Sequence, residues 1–134
     1  MAAAEQPDDG SIPDSDRLFR RVPRNQLRPL DDGSFRPSSA VFKHRELSIT
    51  IESLLLAQKR EPLDVLKDYP DQFLTSILAG DVRKFGLAII KDTDSPHDPA
   101  HGLVLGKKTE GFANAMVRSH RWVVSPNDMQ PDSN

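Results

Sequence analysis

Residues 47 to 59 read Leu47-Ser48-Ile49-Thr50-Ile51-Glu52-Ser53-Leu54-Leu55-Leu56-Ala57-Gln58-Lys59, and the change of period inside this stretch sets the fold class. From Leu47 to Ile51 apolar and polar residues alternate and β-branched side chains dominate, the pattern of a strand with one buried face. From Glu52 onward straight-chain helix formers take over, so a helix begins where the strand ends. A chain that changes from period two to period 3.6 without a linker packs helix on sheet within one domain.

The same reading extends in both directions. Pro62 fits the first turn of a second short helix, in which Leu63 and Leu66 share a face, and Pro70 closes it. Phe73-Leu74-Thr75-Ser76-Ile77-Leu78-Ala79 reads as a strand, residues 80 to 86 as a turn or single helical turn bounded by glycines, and Leu87-Ala88-Ile89-Ile90 as a buried strand. Leu103-Val104-Leu105 is another strand. A helix follows from about 110 to 120, with Thr109 as its N-cap and Phe112, Ala113, Met116 and Val117 as its apolar face. Trp122-Val123-Val124 is the last strand. Upstream, Leu18-Phe19-Arg20-Arg21-Val22 is a strand ended by Pro23, Asp31-Asp32-Gly33 is a turn, and the Pro-Ser-Ser centre of residues 35 to 42 predicts an irregular loop. The expectation is an α+β domain with a small mixed or antiparallel sheet and helices on one side.

With 134 residues, 37% of them hydrophobic, there is room for one core. Residues 17 to 124 are expected to form it. Residues 1 to 16 carry Glu5, Asp8, Asp9, Asp14 and Asp16 with no base, and are expected to be a disordered acidic tail folding back on the arginines that follow. Residues 125 to 134 read as a frayed polar tail.

A net charge of −2 argues against nucleic-acid binding by bulk charge and leaves a local patch open. The absence of cysteine excludes disulfides, thiolate catalysis and cysteine-ligated metals. The N-terminus lacks a signal-peptide pattern and no apolar run approaches membrane-span length, so a cytoplasmic protein without a membrane partner is expected.

Three places concentrate polar chemistry. Arg17, Arg20, Arg21, Arg24 and Arg28 follow one another without an intervening acid, and Arg36 lies nearby. Guanidinium groups grip planar oxyanions with two parallel hydrogen bonds, so an acidic protein or a nucleic-acid backbone fits this cluster. His97 and His101 are four apart, with Asp92, Asp94 and Asp98 near them, but Pro96 and Pro99 break the helix that a paired metal site needs; no metal is expected. His101, at the entry to a strand, is the histidine more readily aimed into a cleft.

Gly106-Lys107-Lys108-Thr109, between a strand and a helix, is the third place. It is a candidate anion contact but lacks the spacing and hydroxyl of a nucleotide-binding loop. Ser38 and Ser39 sit beside proline outside any nucleophile elbow, and Asp8-Asp9 and Asp31-Asp32 lie in a tail and a turn where solvent keeps them ordinary.

On Leu18-Phe19-Arg20-Arg21-Val22-Pro23, Phe35-Arg36-Pro37-Ser38-Ser39-x-x-Phe42, Leu47-Ser48-Ile49 and Pro99-Ala100-His101-x-x-Val104-x-Gly106, the chain resembles a small, poorly characterised bacterial family with no established activity. A second likeness is to compact ADP-ribosyltransferase-like toxins. It implies that Arg20 or Arg21 clamps the phosphates of NAD, that Ser48, in Ser48-Ile49-Thr50, orients the nicotinamide ribose, and that His101 is the polar group nearest the reacting carbon. The glutamate those enzymes place near a late strand is missing; Glu110 lies beyond the turn.

The leading expectation is a noncatalytic binding or accessory protein that needs no cofactor and contacts an acidic partner through Arg20, Arg21, Arg24, Arg36, Lys107 and Lys108. The alternative is an NAD-processing enzyme using Arg20, Arg21, Ser48, Thr50 and His101. A purely structural subunit would expose apolar surface around Phe35, Phe42 and the leucine-rich helix.

Overall fold

The structure is a computed structural model that describes residues 7–93 and 98–128. Among the described residues eight strands form, β1 (Arg17–Val22), β2 (Leu27–Pro29), β3 (Phe35–Pro37), β4 (Leu47–Ile51), β5 (Phe73–Leu78), β6 (Ala88–Lys91), β7 (His101–Leu105) and β8 (Arg121–Val124). Three α-helices join them, α1 (Glu52–Ala57), α2 (Ala79–Arg83) and α3 (Glu110–Ser119), together with short 3-10 turns that include Ser39–Phe42 and Pro62–Leu66. Six strands make one sheet in the order β6-β7-β4-β1-β5-β8, antiparallel at every pairing. The chain is therefore a single α+β domain.

Period two fixes the faces. Leu18, Val22, Leu47, Ile49, Ile51, Ile77 and Val104 bury their side chains on the face covered by α3, where Phe112, Ala113, Met116 and Val117 meet them. Thr109 caps α3, its hydroxyl accepting the Phe112 N–H at 3.0 Å. The other face holds a smaller apolar group, Phe19, Leu74, Leu55, Val65 and Leu66, where α1 and the 62–66 turn cover part of the sheet. Helical cover is thus not confined to one side.

Two glycines are fixed by close approach. A Cβ on Gly102 of β7 would lie 2.5 Å from Ile51 Cδ1 and 2.8 Å from the Ile90 carbonyl oxygen. Gly106, at φ +117°, ends β7 in a conformation that suits glycine, with Leu87 packed over it.

Three expectations are corrected. Residues 7 to 16 are not a disordered tail: Ile12 is 1% exposed and belongs to the main core. The Asp9 N–H donates to the Ile89 carbonyl at 2.8 Å and the Ile89 N–H to Asp8 Oδ1 at 2.9 Å, so the segment covers the β6 edge. Its acids do fold back, but onto Arg83, which bonds Asp8 and Asp14, and onto Lys91, not onto the arginines of residues 17 to 28. Asp16 is buried and accepts the Ser53 N–H at the start of α1.

The second correction concerns residues 35 to 42. They contain a strand that forms a two-stranded hairpin with β2 across Asp31-Asp32-Gly33, then a 3-10 turn capped by the Ser38 hydroxyl. The alternation expected of a strand is too short to show in three residues that include Pro37. Phe42 is fully buried, which removes it from any exposed apolar surface. Third, Pro126–Asp128 form a 3-10 turn, and Asn127 accepts the Phe35 N–H at 2.6 Å, so the C-terminal segment is tied to the hairpin at its start.

Candidate functional site

Beside the smaller apolar group the second face carries a cleft of about 530 Å³. The ladder registers Phe19↔Thr50 and Thr50↔His101 place side chains of β1, β4 and β7 on one face, and Arg21 and Ser48 follow by alternation. Arg21, Ser48, Thr50 and His101 accordingly line one cleft, together with Tyr69, Lys67, Asp68, Arg60 and Asp98. Tyr69 and Lys67 lie just past the 62–66 turn.

His101 is held firmly. Its Nδ1 lies 2.9 Å from Asp92 Oδ2, its N–H donates to the Asp98 carbonyl at 3.1 Å, and its carbonyl accepts the Asp92 N–H at 2.9 Å. A carboxylate at Nδ1 orients the ring and leaves Nε2 as the nitrogen for other chemistry. In the same lining Arg60 grips Asp98 with two parallel bonds of 2.9 and 3.0 Å. That hydrogen bond, with the Ala100 N–H, outweighs burial and holds the Asp98 carboxyl below its ordinary range. Gln58 donates to the Pro99 carbonyl, so the loop before β7 is pinned at Asp98 and at Pro99 to the segment that ends α1. The Arg21 guanidinium stands 3.9 Å over the Tyr69 ring.

The arginine cluster is divided by the fold. Arg20 borders the cleft, but its Nε donates to the Val41 carbonyl at 3.2 Å and its Nη1 to the Ser48 carbonyl at 3.1 Å. The β1–β4 ladder stops at Phe19↔Thr50, and Arg20 satisfies the Ser48 carbonyl of β4 beyond that point, together with the Val41 carbonyl of the 39–42 turn. Burial, and then the neighbouring Arg21, push its pKa down to about 10, still well above neutral pH. Arg17 pairs with Glu52, and Arg24 lies over the Phe73 ring.

Lys108 also turns inward. Its Nζ donates to the Arg45 and Val104 carbonyls at 2.7 and 2.6 Å, and burial lowers its pKa. Lys107 is exposed and among the described residues no ion pair reaches it, so the lysine turn presents one ammonium to solvent where two were expected. Arg28 and Arg36 are exposed and stand directly opposite each other across the β2–β3 ladder. Among the described residues no ion pair reaches either of them.

Comparison with family models, with curated proteins and with solved structures finds no match for this chain. The resemblances drawn from the motifs therefore rest on those residues alone. Among the described residues there is no group of three or more His, Cys, Asp or Glu placed to hold a metal ion, and no helix is long and apolar enough to cross a membrane. His97 and Asp94, the other half of the histidine pair, lie outside the described residues. Of the acids weighed as ligands, Asp92 serves His101 and Asp98 serves Arg60.

Sequence reasoning missed Arg60, Lys67 and Tyr69. Arg60 and Asp64 are spaced for an i, i+4 pair, a visible signal, but the stronger bond to Asp98 spans 38 residues and has no local signature.

Proposed function

We propose that this is a noncatalytic binding or accessory protein that contacts an acidic partner through arginines the fold leaves uncommitted. The observation that carries this reading is the Arg28–Arg36 pair. Like charges set opposite each other on a ladder repel, and a partner anion relieves that repulsion. Arg20 and Lys108 are committed to backbone carbonyls and drop out of the contact surface, whereas Arg36 and Lys107 stay in it. The test is a pull-down from the native lysate with wild type and with Arg28→Glu/Arg36→Glu. Binding that weakens as salt rises and disappears in the variant is expected. A partner recovered equally by both proteins refutes the reading.

The cleft favours a second reading, an enzyme that processes NAD or transfers ADP-ribose. Its support is that Arg21, Ser48, Thr50 and His101 border one cavity and that Asp92 orients His101. Arg21 replaces Arg20 as the phosphate clamp, Ser48 and Thr50 offer hydroxyls to a ribose, and His101 Nε2 is the acid–base group. Incubation with NAD, followed by chromatography of the nucleotide, tests it: consumption abolished by His101→Ala and reduced by Asp92→Asn is expected. No consumption by the wild-type protein removes this reading.

A further inference from the structure

The hairpin β2–β3 and helix α3 together bound a groove of about 640 Å³ on the α3 side of the molecule. Arg28 and Arg36 enter it from the hairpin and Arg118 from the last turn of α3, and all three are exposed. Ser39 and Asn114 add a hydroxyl and an amide to the lining, and among the described residues no acidic and no aromatic side chain lines it. Among the described residues no ion pair reaches Arg118 either. Three cations thus converge from two separate elements, and the described residues supply no internal counter-charge.

We infer that this groove is a binding site for one phosphoryl group of the monoester class. The inference rests on the acidic-partner reading of Arg28 and Arg36 and names the chemistry of that contact. A phosphoryl monoester carries close to two negative charges at neutral pH and three terminal oxygens, which matches three guanidiniums better than the single charge of a carboxylate. Arginine's planar fork suits these oxygens, and Ser39 and Asn114 can donate to one not taken by an arginine.

A nucleic-acid polymer fits less well. Bases stack on aromatic side chains in single-strand sites, and among the described residues none lines this groove. The net charge of −2 opposes the long-range attraction of a polyanion, but it does not oppose one local phosphate.

The experiment is an amide chemical-shift titration of the full chain with inorganic phosphate, a phosphoserine peptide, acetate and a mixed-sequence DNA duplex. Saturable binding of phosphate is expected, with shifts at Ser39, Asn114 and Arg118, weakened about tenfold or more by Arg118→Gln and by Arg36→Gln. The thermal midpoint of each variant is measured beside it, since these exposed residues carry little stability. A peptide bound more tightly than free phosphate places the group on a protein partner; equal affinities make the free anion the ligand. Either result supports the site.

Acetate binding as tightly as phosphate, or the duplex outcompeting both phosphate probes, overturns it. Should charge reversal at Arg28 and Arg36 abolish partner binding while Arg118→Gln changes nothing, the phosphoryl site falls and the acidic-partner reading stands. Should neither matter, both fall.

Discussion

Ile12→Ala tests the most consequential departure from sequence expectation, the incorporation of residues 7 to 16 into the domain. Ile12 is 1% exposed and packs in the main core, so truncation removes three buried carbons and leaves a cavity. Substitutions of this kind cost about 2 to 5 kcal/mol. The site lies in a segment held partly by exposed ion pairs, where the backbone can relax, so the lower half of that range, about 2 to 3 kcal/mol, is expected. A domain of this size has about 5 to 15 kcal/mol of stability in all, so the loss is large. At roughly 3 to 4 °C per kcal/mol for this chain length, the thermal midpoint drops by about 6 to 12 °C.

Urea unfolding followed by far-UV circular dichroism, with equal slopes for both proteins, gives the free-energy difference directly. Arg83→Gln serves as the companion, because it loosens the ties to Asp8 and Asp14 without touching the core, and a loss of about 1 kcal/mol or less is expected. If Ile12→Ala changes stability by less than about 0.5 kcal/mol, the value typical of an exposed site, then residue 12 is not in the core and the account of the N-terminal segment is wrong.

Two other substitutions address the sheet. His120 bonds Thr75 Oγ1 through Nδ1 at 2.6 Å and stacks edge-on against Trp122; burial, and then Arg121, push its pKa down to about 4. The unfolded chain takes up this proton near the ordinary value of about 6.5 while the folded protein resists it, so stability is present above that value and declines as pH falls from about 6.5 to about 4. After allowance for the solvent that reaches the ring, the loss is on the order of 1 to 3 kcal/mol. His120→Asn, which keeps a polar atom near the Nδ1 position and does not titrate, flattens the difference, and urea midpoints at several pH values that run parallel for the two proteins would falsify this. Gly102→Ala drives a Cβ into Ile51 and the Ile90 carbonyl, and a loss of about 1 to 3 kcal/mol is expected from the same unfolding measurement.

What the sequence determined by itself is the set of elements whose periodicity is complete within a few residues. The alternation of Leu47 to Ile51, the helix formers after Glu52, the Thr109 cap and the apolar face of α3 were all legible, because dihedral preferences, capping bonds and one-sided burial are decided by neighbours in the chain. The fold class followed from their order. The hairpin β2–β3 escaped because three-residue strands that include Pro37 carry too little pattern.

Only the tertiary structure decided which polar groups remain available. Composition marked residues 7 to 16 as acidic and solvated, yet one isoleucine and an unpaired β6 edge were enough to fix the segment in place. Five arginines that look equivalent along the chain were divided between backbone carbonyls, Glu52, aromatic rings and open solvent, and Arg118, 90 residues beyond Arg28, joined the hairpin pair. A guanidinium's availability depends on which carbonyls and carboxylates surround it in space, and those partners come from distant strands whose register no local pattern encodes.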